Sequence, residues 1–277
     1  MSTPTSPFNV VNLYGSGCLR GVTVAMPTAQ VQRLLPKGLE LGAQTVTPPG
    51  THPVILSFNS MFNAVMSVPT LLPELTYQEF TVGVPFTTLR PGPLGRAMGT
   101  LLGRGQNQRN QPLGPYYYMP RLFLDSVLAT LGGLVFWGFA KKLARFKLTE
   151  GRYAIDAENG APQISLDWEP EGQPQPLAAY PHFNPVREML DQSVISQLPA
   201  AFGPIFVLTQ FNKDWTQAKL RPLRTSVRIE TEFLPGLSPG LIPAQGQTEG
   251  IAASVRGSYE VTAPWILGLP HAPFFER

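Results

Sequence analysis

The chain has 277 residues, of which 43% are apolar and only 14% are charged, a charged fraction below the roughly 25% of ordinary soluble domains. It contains 30 prolines and 26 glycines, a mixture that favours short strands and turns over long helices. The net charge of +3 comes from mostly scattered side chains, so composition gives little support for a nucleic-acid partner. A single cysteine, Cys18, excludes an intramolecular disulfide framework.

The first 75 residues contain two predicted strands and one short helix. Residues 21–26 alternate valine with smaller side chains, the period of two that is typical of a strand. Thr28 is the predicted N-cap of a short helix that ends before Gly38. Residues 54–59 form a second predicted strand, and residues 60–75 are predicted to be irregular.

The clearest strand of the sequence covers residues 77–86. Phe80, Val82 and the alternating apolar residues after them share one face, whereas Tyr77 and Glu79 lie on the other. Two interpretations follow from this pattern. The apolar face packs on the core and Glu79 faces water, or the sheet closes into a barrel covered by helices and Glu79 points into its lumen.

A long apolar run, residues 122–140, ends at a group of basic residues. This pattern resembles a membrane span flanked by positive charge. However, Asp125 lies within the run and three glycines interrupt it, so we predict a buried segment instead. Asp125 is the predicted N-cap of a helix that continues to about Leu131 and ends at Gly132 and Gly133.

Most of the remaining chain is predicted to be strands and turns. A glycine-rich segment, residues 89–114, lacks the spacing of a phosphate-binding loop and is interpreted as a flexible insertion. No internal repeat or clean linker divides the sequence, so we expect a single domain over residues 1–277. Further strands are predicted at residues 116–124, 152–157, 163–168, 205–211, 225–233 and 253–262, with a hairpin turn at Asn159-Gly160 and a weak helical pattern at 186–198.

Residues that carry chemistry are sparse, apart from one lysine pair. The three histidines are far apart and in no metal-binding spacing, so a metal site is not expected, and a serine hydrolase is not expected either. Lys141 and Lys142 directly follow the aromatic-rich residues 136–140. Burial and a neighbouring like charge both lower the pKa of a lysine, and attack on a carbonyl requires a neutral amine. Alone, such a pair is more typical of a solvated strand or helix end.

Residues 137–143, Trp-Gly-Phe-Ala-Lys-Lys-Leu, resemble the signature of the acetoacetate decarboxylase family. Residues 122–126 are similar to the family's aspartate-containing stretch before a glycine turn. Residues 77–79 resemble the start of the family strand that bears an acid/base carboxylate, and residues 34–40 resemble an early helix and its exit. The resemblance covers most of residues 20–150 and fades afterwards.

The resemblance implies an α+β fold, predominantly an antiparallel, cone-shaped β-barrel with a few surrounding helices and an enclosed apolar cavity. It implies that Lys141 forms a Schiff base with a small-molecule carbonyl substrate, that Lys142 lowers the pKa of Lys141, and that Glu79 transfers protons. No cofactor is expected, because the imine itself stabilises the developing carbanion. A homo-oligomer is also implied. The predicted substrate-binding residues are Arg20, Tyr77, Phe136, Trp137 and Phe139.

The sequence departs from the family pattern at several positions of the predicted site. Ala140 stands where a proline usually precedes the lysine pair, and Leu134 and Val135 replace an arginine-glutamate couple. The family pattern has a second active-site glutamate that would align near Ile55 of this chain. Asn59 is the polar residue close to that position. Because these replacements remove polar and carboxylate-handling groups, decarboxylation, aldol, dehydration and cyclisation chemistry all stay open.

Three classes of function therefore remain. The first is a Schiff-base-forming lyase that acts on a keto acid or a related carbonyl compound. The alternative is a non-catalytic barrel protein that binds an apolar carbonyl or lipid-like small molecule. In the third, residues 122–140 anchor the chain in a membrane. Residues 1–10 show no basic or apolar secretory pattern, so we expect a cytoplasmic protein without a membrane partner.

Overall fold

The computed structural model describes residues 12–67, 73–90, 111–156, 162–198, 205–230, 240–243 and 258–271. Strands dominate these segments, as the proline- and glycine-rich composition predicts. The strands are β1 (Asn12–Pro27), β2 (Leu39–Leu41), β3 (Thr51–Met66), β4 (Leu75–Leu89), β5 (Leu113–Leu124), β6 (Lys141–Leu143), β7 (Arg145–Thr149), β8 (Arg152–Asp156), β9 (Pro162–Pro170), β10 (Gln175–Pro176), β11 (Val194–Leu198), β12 (Ile205–Thr209), β13 (Phe211–Lys213), β14 (Lys219–Ile229), β15 (Gly240–Pro243) and β16 (Ser258–Gly268). The helices are α1 (Thr28–Gln32), α2 (Val127–Trp137) and α3 (Asn184–Leu190), with 3-10 turns at Leu177–Ala179 and Pro181–Phe183.

The strands join in one mixed, mainly antiparallel sheet. Its hydrogen-bonded order is β12-β11-β5-β4-β3-β1-β16-β14-β9-β8-β7. The exceptions to antiparallel pairing are made by β5, which runs parallel to β6 and to β11. The chain passes from β5 to β6 through α2, the crossover that parallel neighbours require. This crossover positions the lysine pair on β6 beside β5.

The prediction of a closed, cone-shaped barrel is wrong for the described part of the chain. The sheet is an open path, and β12 and β7 at its two ends do not pair with each other. The nearest approach to closure is the three-residue pairing of β13 with β16, together with one bridge between Leu208 and His271. Beyond β16, the path continues through β14, β9 and β8, so these strands build a second layer instead of completing a ring.

Side chains of β3 and β4 alternate between two hydrophobic cores. Ile55 and Tyr77 lie in the core that we name the inner core, and Phe58 and Phe80 lie in the other, the outer core. The outer core is covered by α1 and by the second layer of strands. These covering strands contribute Tyr153, Ile155, Ile164, Leu166, Val227 and Ile229.

This arrangement decides between the two interpretations of residues 77–86. Phe80 and Val82 are completely buried in the outer core, as the alternating pattern predicts for the apolar face. Glu79 is only 8% exposed, so the interpretation that places it in water is wrong. The cover over the apolar face consists mainly of strands, whereas helices were predicted there.

The start of α2 differs from the prediction. Ser126 is the N-cap, and its side chain accepts a hydrogen bond from the backbone N–H of Ala129 at 3.2 Å. Asp125 accepts a hydrogen bond from the backbone N–H of Gln78 at 2.8 Å instead, and so connects β4 to this turn. Both residue types are good caps, and the tertiary contact with β4 decides which one caps the helix.

The end of α2 also lies further along the chain than predicted. The helix passes through Gly132 and Gly133 and ends at Trp137. The next residue, Gly138, has a φ of +64°, the left-handed conformation that commonly follows a helix C-terminus. None of the helices in the described segments is long and apolar enough to cross a membrane. The apolar run is therefore divided between the end of β5, α2 and the turn that follows.

Several other local predictions can be compared with the structure. The strands at residues 77–86 and 116–124 and the antiparallel pair β8–β9 are confirmed. Residues 60–66 continue β3 and Thr28 makes no capping hydrogen bond, so those two predictions are wrong. The helical pattern at 186–198 is confirmed in α3 as far as Leu190, but the later residues form β11. The hairpin turn at Asn159-Gly160 and most of the glycine-rich segment lie outside the described residues.

The hydroxyl of Tyr153, a residue of β8 in the second layer, connects the outer core to the backbone of β3 and β4. Tyr153 is fully buried, and its hydroxyl donates to the carbonyl oxygens of Asn59 and Glu79, which lie 3.0 and 3.2 Å away. Tyr153→Phe should lower the free energy of unfolding by about 0.5–1.5 kcal/mol, because it removes this hydrogen bonding from a buried site. Urea unfolding followed by circular dichroism measures the change. Tyr14→Phe at a 41% exposed position is the matched control, and equal effects of the two substitutions would contradict this role.

Candidate active site

A cavity with about 730 Å³ of empty space, its open mouth included, lies between the inner core and α2. Its wall is largely apolar and comes from strands of both halves of the chain. Among the described residues that line it, Glu79 on β4 and Lys141 on β6 are the acid and the base. The structure therefore brings together the two residues that the sequence predicts as proton shuttle and nucleophile.

The register of β6 against β5 separates the two lysines. Lys141 is the partner of Leu122, which lines the cavity, whereas Lys142 is the partner of Phe123, which lies in the outer core. Lys141 is partly buried and Lys142 is exposed. Consecutive side chains of a strand point to opposite faces, so one member of the pair reaches the cavity.

The side chain of Lys141 passes beneath α2 at Gly133. A Cβ atom added to Gly133 would collide with Cδ, Cε and Nζ of Lys141. The Lys141 ammonium donates a hydrogen bond to the carbonyl oxygen of Ala129, one helical turn earlier, at 3.1 Å. Gly133 therefore gives the lysine its space under the helix, where the sequence suggested only a helix end.

The turn between α2 and β6 is fixed by two hydrogen bonds of Trp137. Its indole N–H donates to the carbonyl oxygen of Gly268 on β16 at 2.7 Å, and its own carbonyl oxygen accepts from the hydroxyl of Ser196 on β11 at 2.7 Å. The left-handed Gly138 then reverses the chain, and Phe139 enters the cavity wall. The short segment before Lys141 is thus held against two different strands.

Burial determines the electrostatics of Lys141. Loss of hydration disfavours the ammonium form and lowers the pKa of Lys141, while the negative charge of Glu79 opposes this effect. The net direction is downward, so the neutral amine is more populated than in an exposed lysine. Since burial accounts for this direction, the tuning role of Lys142 stays a prediction.

Glu79 is held by a short chain of polar side chains on the inner face of β3. Asn59, its partner across the strands, donates from Nδ2 to Oε1 of Glu79 at 3.4 Å, and the hydroxyl of Ser57 donates to Oδ1 of Asn59 at 2.6 Å. Burial raises the pKa of Glu79, whereas the positive charge of Lys141 and the hydrogen bond from Asn59 lower it. The net shift is upward, which brings the carboxyl group closer to the range where it can both accept and release protons.

The remaining predicted site residues divide into two groups. Tyr77, Trp137 and Phe139 line the cavity and are almost completely buried. Phe136 is 39% exposed on α2 and does not belong to the described lining. Arg20 projects from the outer face of β1, where its guanidinium pairs with the Glu260 carboxylate at 2.9 Å. It therefore points away from the cavity and does not belong to the described lining.

Sequence reasoning missed a large part of the cavity wall. Met61 lies two residues after Asn59 on β3, so the period of two could have indicated that it shares the inner face. Phe211 and Trp265 lie on β13 and β16 and reach the site only through the pairing of these strands. No local pattern near the lysine pair points to them.

A second buried lysine, Lys213, lies outside the described lining of the cavity. Burial lowers its pKa to about 8. Its ammonium donates to the carbonyl oxygen of Leu190 at the end of α3 at 2.8 Å and lies 4.4 Å from the centre of the Phe211 ring. These contacts are those of a structural lysine that binds a helix end to a strand.

In the described part of the chain, no group of three or more His, Cys, Asp or Glu side chains could hold a metal ion.

Comparisons with known proteins agree with this architecture. A family model described as acetoacetate decarboxylase matches residues 5–209, while no curated protein sequence gives a significant match. The chain is similar to the crystal structure of acetoacetate decarboxylase from Legionella pneumophila subsp. pneumophila str. Philadelphia 1, with 14% identity and a TM-score of 0.57 over 97% of this chain and 91% of that one. For an acetoacetate decarboxylase-like enzyme from Sphingomonas wittichii RW1, the identity is 12% and the TM-score is 0.54, over 97% and 95% of the two chains.

A third similar structure is the enduracididine biosynthesis enzyme MppR, solved in complex with pyruvate. Its identity to this chain is 15% and its TM-score is 0.50, over 98% of this chain and 89% of MppR. At identities this low, structural similarity establishes a shared fold, and the chemistry has to be argued from the residues of the cavity.

Gly133→Ala should move the pKa of Lys141 upward. The added methyl group occupies the space of the lysine side chain, and its flexible end is displaced from the buried position that lowers its pKa. The rate of acetylation of Lys141 by acetic anhydride, measured against pH by peptide mass spectrometry, should therefore reach its midpoint at higher pH. Lys213 provides the internal control, and its profile should not move. An unchanged Lys141 profile would contradict the role assigned to Gly133.

Proposed function

The chain belongs to the acetoacetate decarboxylase family, and from this premise we propose that it is a Schiff-base-forming lyase that acts on a carbonyl compound. One observation carries the proposal: Lys141 and Glu79 line the same apolar cavity. Burial favours the neutral form of both groups, which gives a free amine for attack and a carboxyl group that can exchange protons. This combination is the one that imine chemistry needs.

The first half of the reaction builds the iminium ion. The lone pair of neutral Lys141 Nζ attacks the carbonyl carbon and forms a carbinolamine. The carbinolamine oxygen takes up a proton and leaves as water, and the C=N bond of a cationic imine forms. The mostly apolar wall, including Trp137 and Phe139, keeps bulk water from competing with the bound compound.

The second half uses the iminium nitrogen as an electron sink. Electrons of a breaking bond next to the former carbonyl carbon move toward nitrogen and give a neutral enamine. When that bond is C–H, the Glu79 carboxylate takes the proton, and when it is C–C, the protonated Glu79 later delivers a proton to the enamine carbon. Water then hydrolyses the imine and regenerates Lys141. Decarboxylation and aldol or dehydration chemistry are the reactions that share these steps.

A ligand-binding protein without turnover is the second candidate. The largely apolar wall and the hydrogen bond from Lys141 to the Ala129 carbonyl favour this reading, because they describe a cavity in which the amine already has a partner. Against it, a binding cavity for an apolar compound gains nothing from a buried acid opposite a buried base. Imine formation separates the two candidates.

Incubation with a panel of small aldehydes and ketones, followed by borohydride, should leave a stable mass addition on Lys141. Burial lowers the pKa of Lys141, so a larger share of its amine is neutral than in an ordinary lysine, of which roughly one in 2,500 is neutral at pH 7. Peptide mass spectrometry locates the adduct. Lys141→Ala should abolish it, and Lys142→Ala should keep it but shift its pH optimum upward, because a nearby positive charge is removed.

Lys213 is the matched control for this experiment. It is also buried and has a pKa lowered to about 8, but it does not belong to the described lining of the cavity. Burial and a low pKa alone should therefore not produce an adduct there. Labelling of Lys213 or Lys142 in preference to Lys141, or no adduct with any carbonyl of the panel, would reject Lys141 as the nucleophile.

Glu79→Gln should separate imine formation from proton transfer. Deuterium exchange at the carbon next to the carbonyl of acetone, measured by NMR in D₂O, reports enamine formation without knowledge of the natural substrate. The exchange should slow by about 10²- to 10⁴-fold, the usual contribution of a general base. Borohydride labelling of Lys141 should persist, with its pH midpoint shifted downward, because the carboxylate raises the pKa of Lys141. Exchange at the wild-type rate would remove Glu79 from the mechanism.

A further inference from the structure

The indole N–H of Trp265 is a buried hydrogen-bond donor that the described part of the protein does not use. Trp265 is 3% exposed, belongs to the inner core and lines the cavity. Of the buried polar side-chain atoms that have no hydrogen-bond partner in the described segments, its Nε1 is the one that belongs to this lining. A buried donor without a partner destabilises the folded state, so such groups are rare in native proteins and call for a functional explanation.

Two other tryptophans show what this N–H lacks. Trp137, in the same cavity wall, donates its indole N–H to the carbonyl oxygen of Gly268 at 2.7 Å. Trp215 donates to the Asp191 carboxylate at 2.6 Å. Buried tryptophans usually have such a partner, because the indole is apolar except at this one group. A compound bound in the cavity can supply the acceptor for Trp265.

Two glycines of β1 locate the N–H at the cavity. A Cβ atom added to Gly15 would lie 3.0 Å from Cζ2 of Trp265, and one added to Gly17 would lie 3.5 Å from Cδ1. These two carbons flank the N–H along the edge of the indole, so this edge lies over the two glycines. The same Cβ positions are 3.2 Å from Cα of Ala64 and 3.1 Å from Sδ of Met61, both residues of the lining. The N–H therefore borders the part of the cavity wall that Met61 and Ala64 form.

Met61 is the side chain that a ligand has to displace to reach the N–H. Its sulfur and the indole edge both lie over Gly17, and no hydrogen bond joins them. A thioether is only a weak acceptor. Methionine has three rotatable side-chain bonds and adapts readily to a bound molecule. Rotation of Met61 would therefore open the Trp265 N–H to an oxygen atom of a ligand.

The position of this donor indicates that it does not hold the reacting carbonyl group. Lys141 Nζ lies beneath α2, where it donates to the Ala129 carbonyl, whereas the Trp265 N–H lies over β1. In imine formation, moreover, the oxygen of the attacked carbonyl leaves as water. An oxygen that Trp265 holds through the reaction therefore belongs to a second polar group of the same compound.

We propose that Trp265 is a specificity-determining residue: its indole N–H donates a hydrogen bond to a second oxygen of the carbonyl compound, in addition to the carbonyl group that Lys141 attacks. The inference rests on the proposed function, because it assumes that Lys141 forms the imine. A hydroxyl, a second carbonyl and a carboxylate share the acceptor chemistry that an indole N–H recognises. A carboxylate also has the iminium ion as a positive neighbour, so the acceptor is either neutral or anionic.

Tyr77 carries the alternative donor in the described lining. Burial and the negative charges of Glu79 and Asp125 raise the pKa of its hydroxyl, so this group lies within the influence of two acids. An anionic ligand oxygen at the Tyr77 hydroxyl would be repelled by these acids. Tyr77→Phe is the matched control that separates the two donors.

Pairs of ketones that differ by an oxygen against a methyl group test the inference. Butan-2-one is 1-hydroxypropan-2-one with a methyl group in place of the hydroxyl. Pentan-2-one stands in the same relation to 4-hydroxybutan-2-one, and 3-methylbutan-2-one to pyruvate. The concentration that gives half-maximal borohydride labelling of Lys141 is measured for each compound in the wild type and in Trp265→Phe. The ratio between the two proteins cancels the intrinsic reactivity of each carbonyl.

Trp265→Phe should raise this concentration for the oxygenated member of at least one pair and leave that of its methyl counterpart nearly unchanged. We expect a factor of about three to ten for a hydroxyl acceptor and of about tenfold or more for a carboxylate, because a hydrogen bond to a charged acceptor is stronger. The pairs that show the difference identify the acceptor as neutral or anionic. Equal factors within all three pairs, or loss of the oxygen preference in Tyr77→Phe instead, overturn the inference.

Protein stability gives a second readout. Trp265→Phe and Trp137→Phe remove the same atoms from the cavity wall, but in the described residues the Trp137 N–H has a partner and the Trp265 N–H has none. Trp137→Phe should therefore move the urea midpoint of unfolding to lower concentration by more than Trp265→Phe does. An equal or larger shift in Trp265→Phe would indicate that its N–H is already bonded in the folded protein, which contradicts the inference.

The indole N–H signal of Trp265 distinguishes failure of this inference from failure of the proposed function. In ¹⁵N-tryptophan-labelled Lys141→Ala, which cannot form the imine, the signal is identified by its loss when Trp265→Phe is added. The oxygenated ketones should move its ¹H resonance downfield, and their methyl counterparts should not. This shift without any Lys141 adduct in the wild type would support Trp265 as a ligand donor and reject the proposed function. Lys141 adducts without any shift of the Trp265 signal would reject the inference alone.

Discussion

The passage of Lys141 beneath α2 is the constraint on which the rest of the site depends. The absent side chain of Gly133 leaves the space, the Ala129 carbonyl accepts the hydrogen bond, and burial lowers the pKa of the amine. An exposed lysine on a three-residue edge strand would be protonated and unremarkable in its chemistry. Burial beneath α2 shifts Lys141 toward the neutral form that the proposed reaction needs, so the helix and its glycine belong to the proposed site as much as the lysine.

The two layers of the sheet hold the acid against this amine. Glu79 stays buried because the opposite side of β4 is packed in the outer core, where Phe80 is completely enclosed. Tyr153 from the second layer binds the backbone carbonyls at Asn59 and Glu79, and Asn59 in turn holds the Glu79 carboxylate from the inner side. The outer core thus fixes the two strands whose inner faces form the site. Although the sheet does not close into a barrel, the cavity still has a wall on its remaining sides, because the inner core and α2 complete it.

The sequence predicted the local patterns and missed what depends on distant pairing. The alternation around Glu79 predicted which side chains share its face, because strand periodicity is a local property, but it left open whether that face is buried. The family resemblance, and no local pattern, assigned Lys141 and Glu79 to one site. The role of Gly133 was hidden, since a glycine in an apolar run indicates a helix end as readily as a close contact. Arg20 was assigned to the site by a loose resemblance, and its pairing with Glu260 follows from the β1–β16 register, which no local pattern records. Closure of the sheet likewise depends on the partners of its two end strands.

The pKa of Lys141, measured directly, tests the account at its centre. The ε-carbons of ¹³C-labelled lysine report the protonation of each amine by NMR, and the signal of Lys141 is identified by its loss in Lys141→Ala. The account predicts that this signal titrates below the ordinary lysine value of 10.5 in the folded protein, as does that of buried Lys213. A Lys141 that titrates at or above 10.5 together with the exposed lysines would contradict the claim that burial beneath α2 makes it a nucleophile.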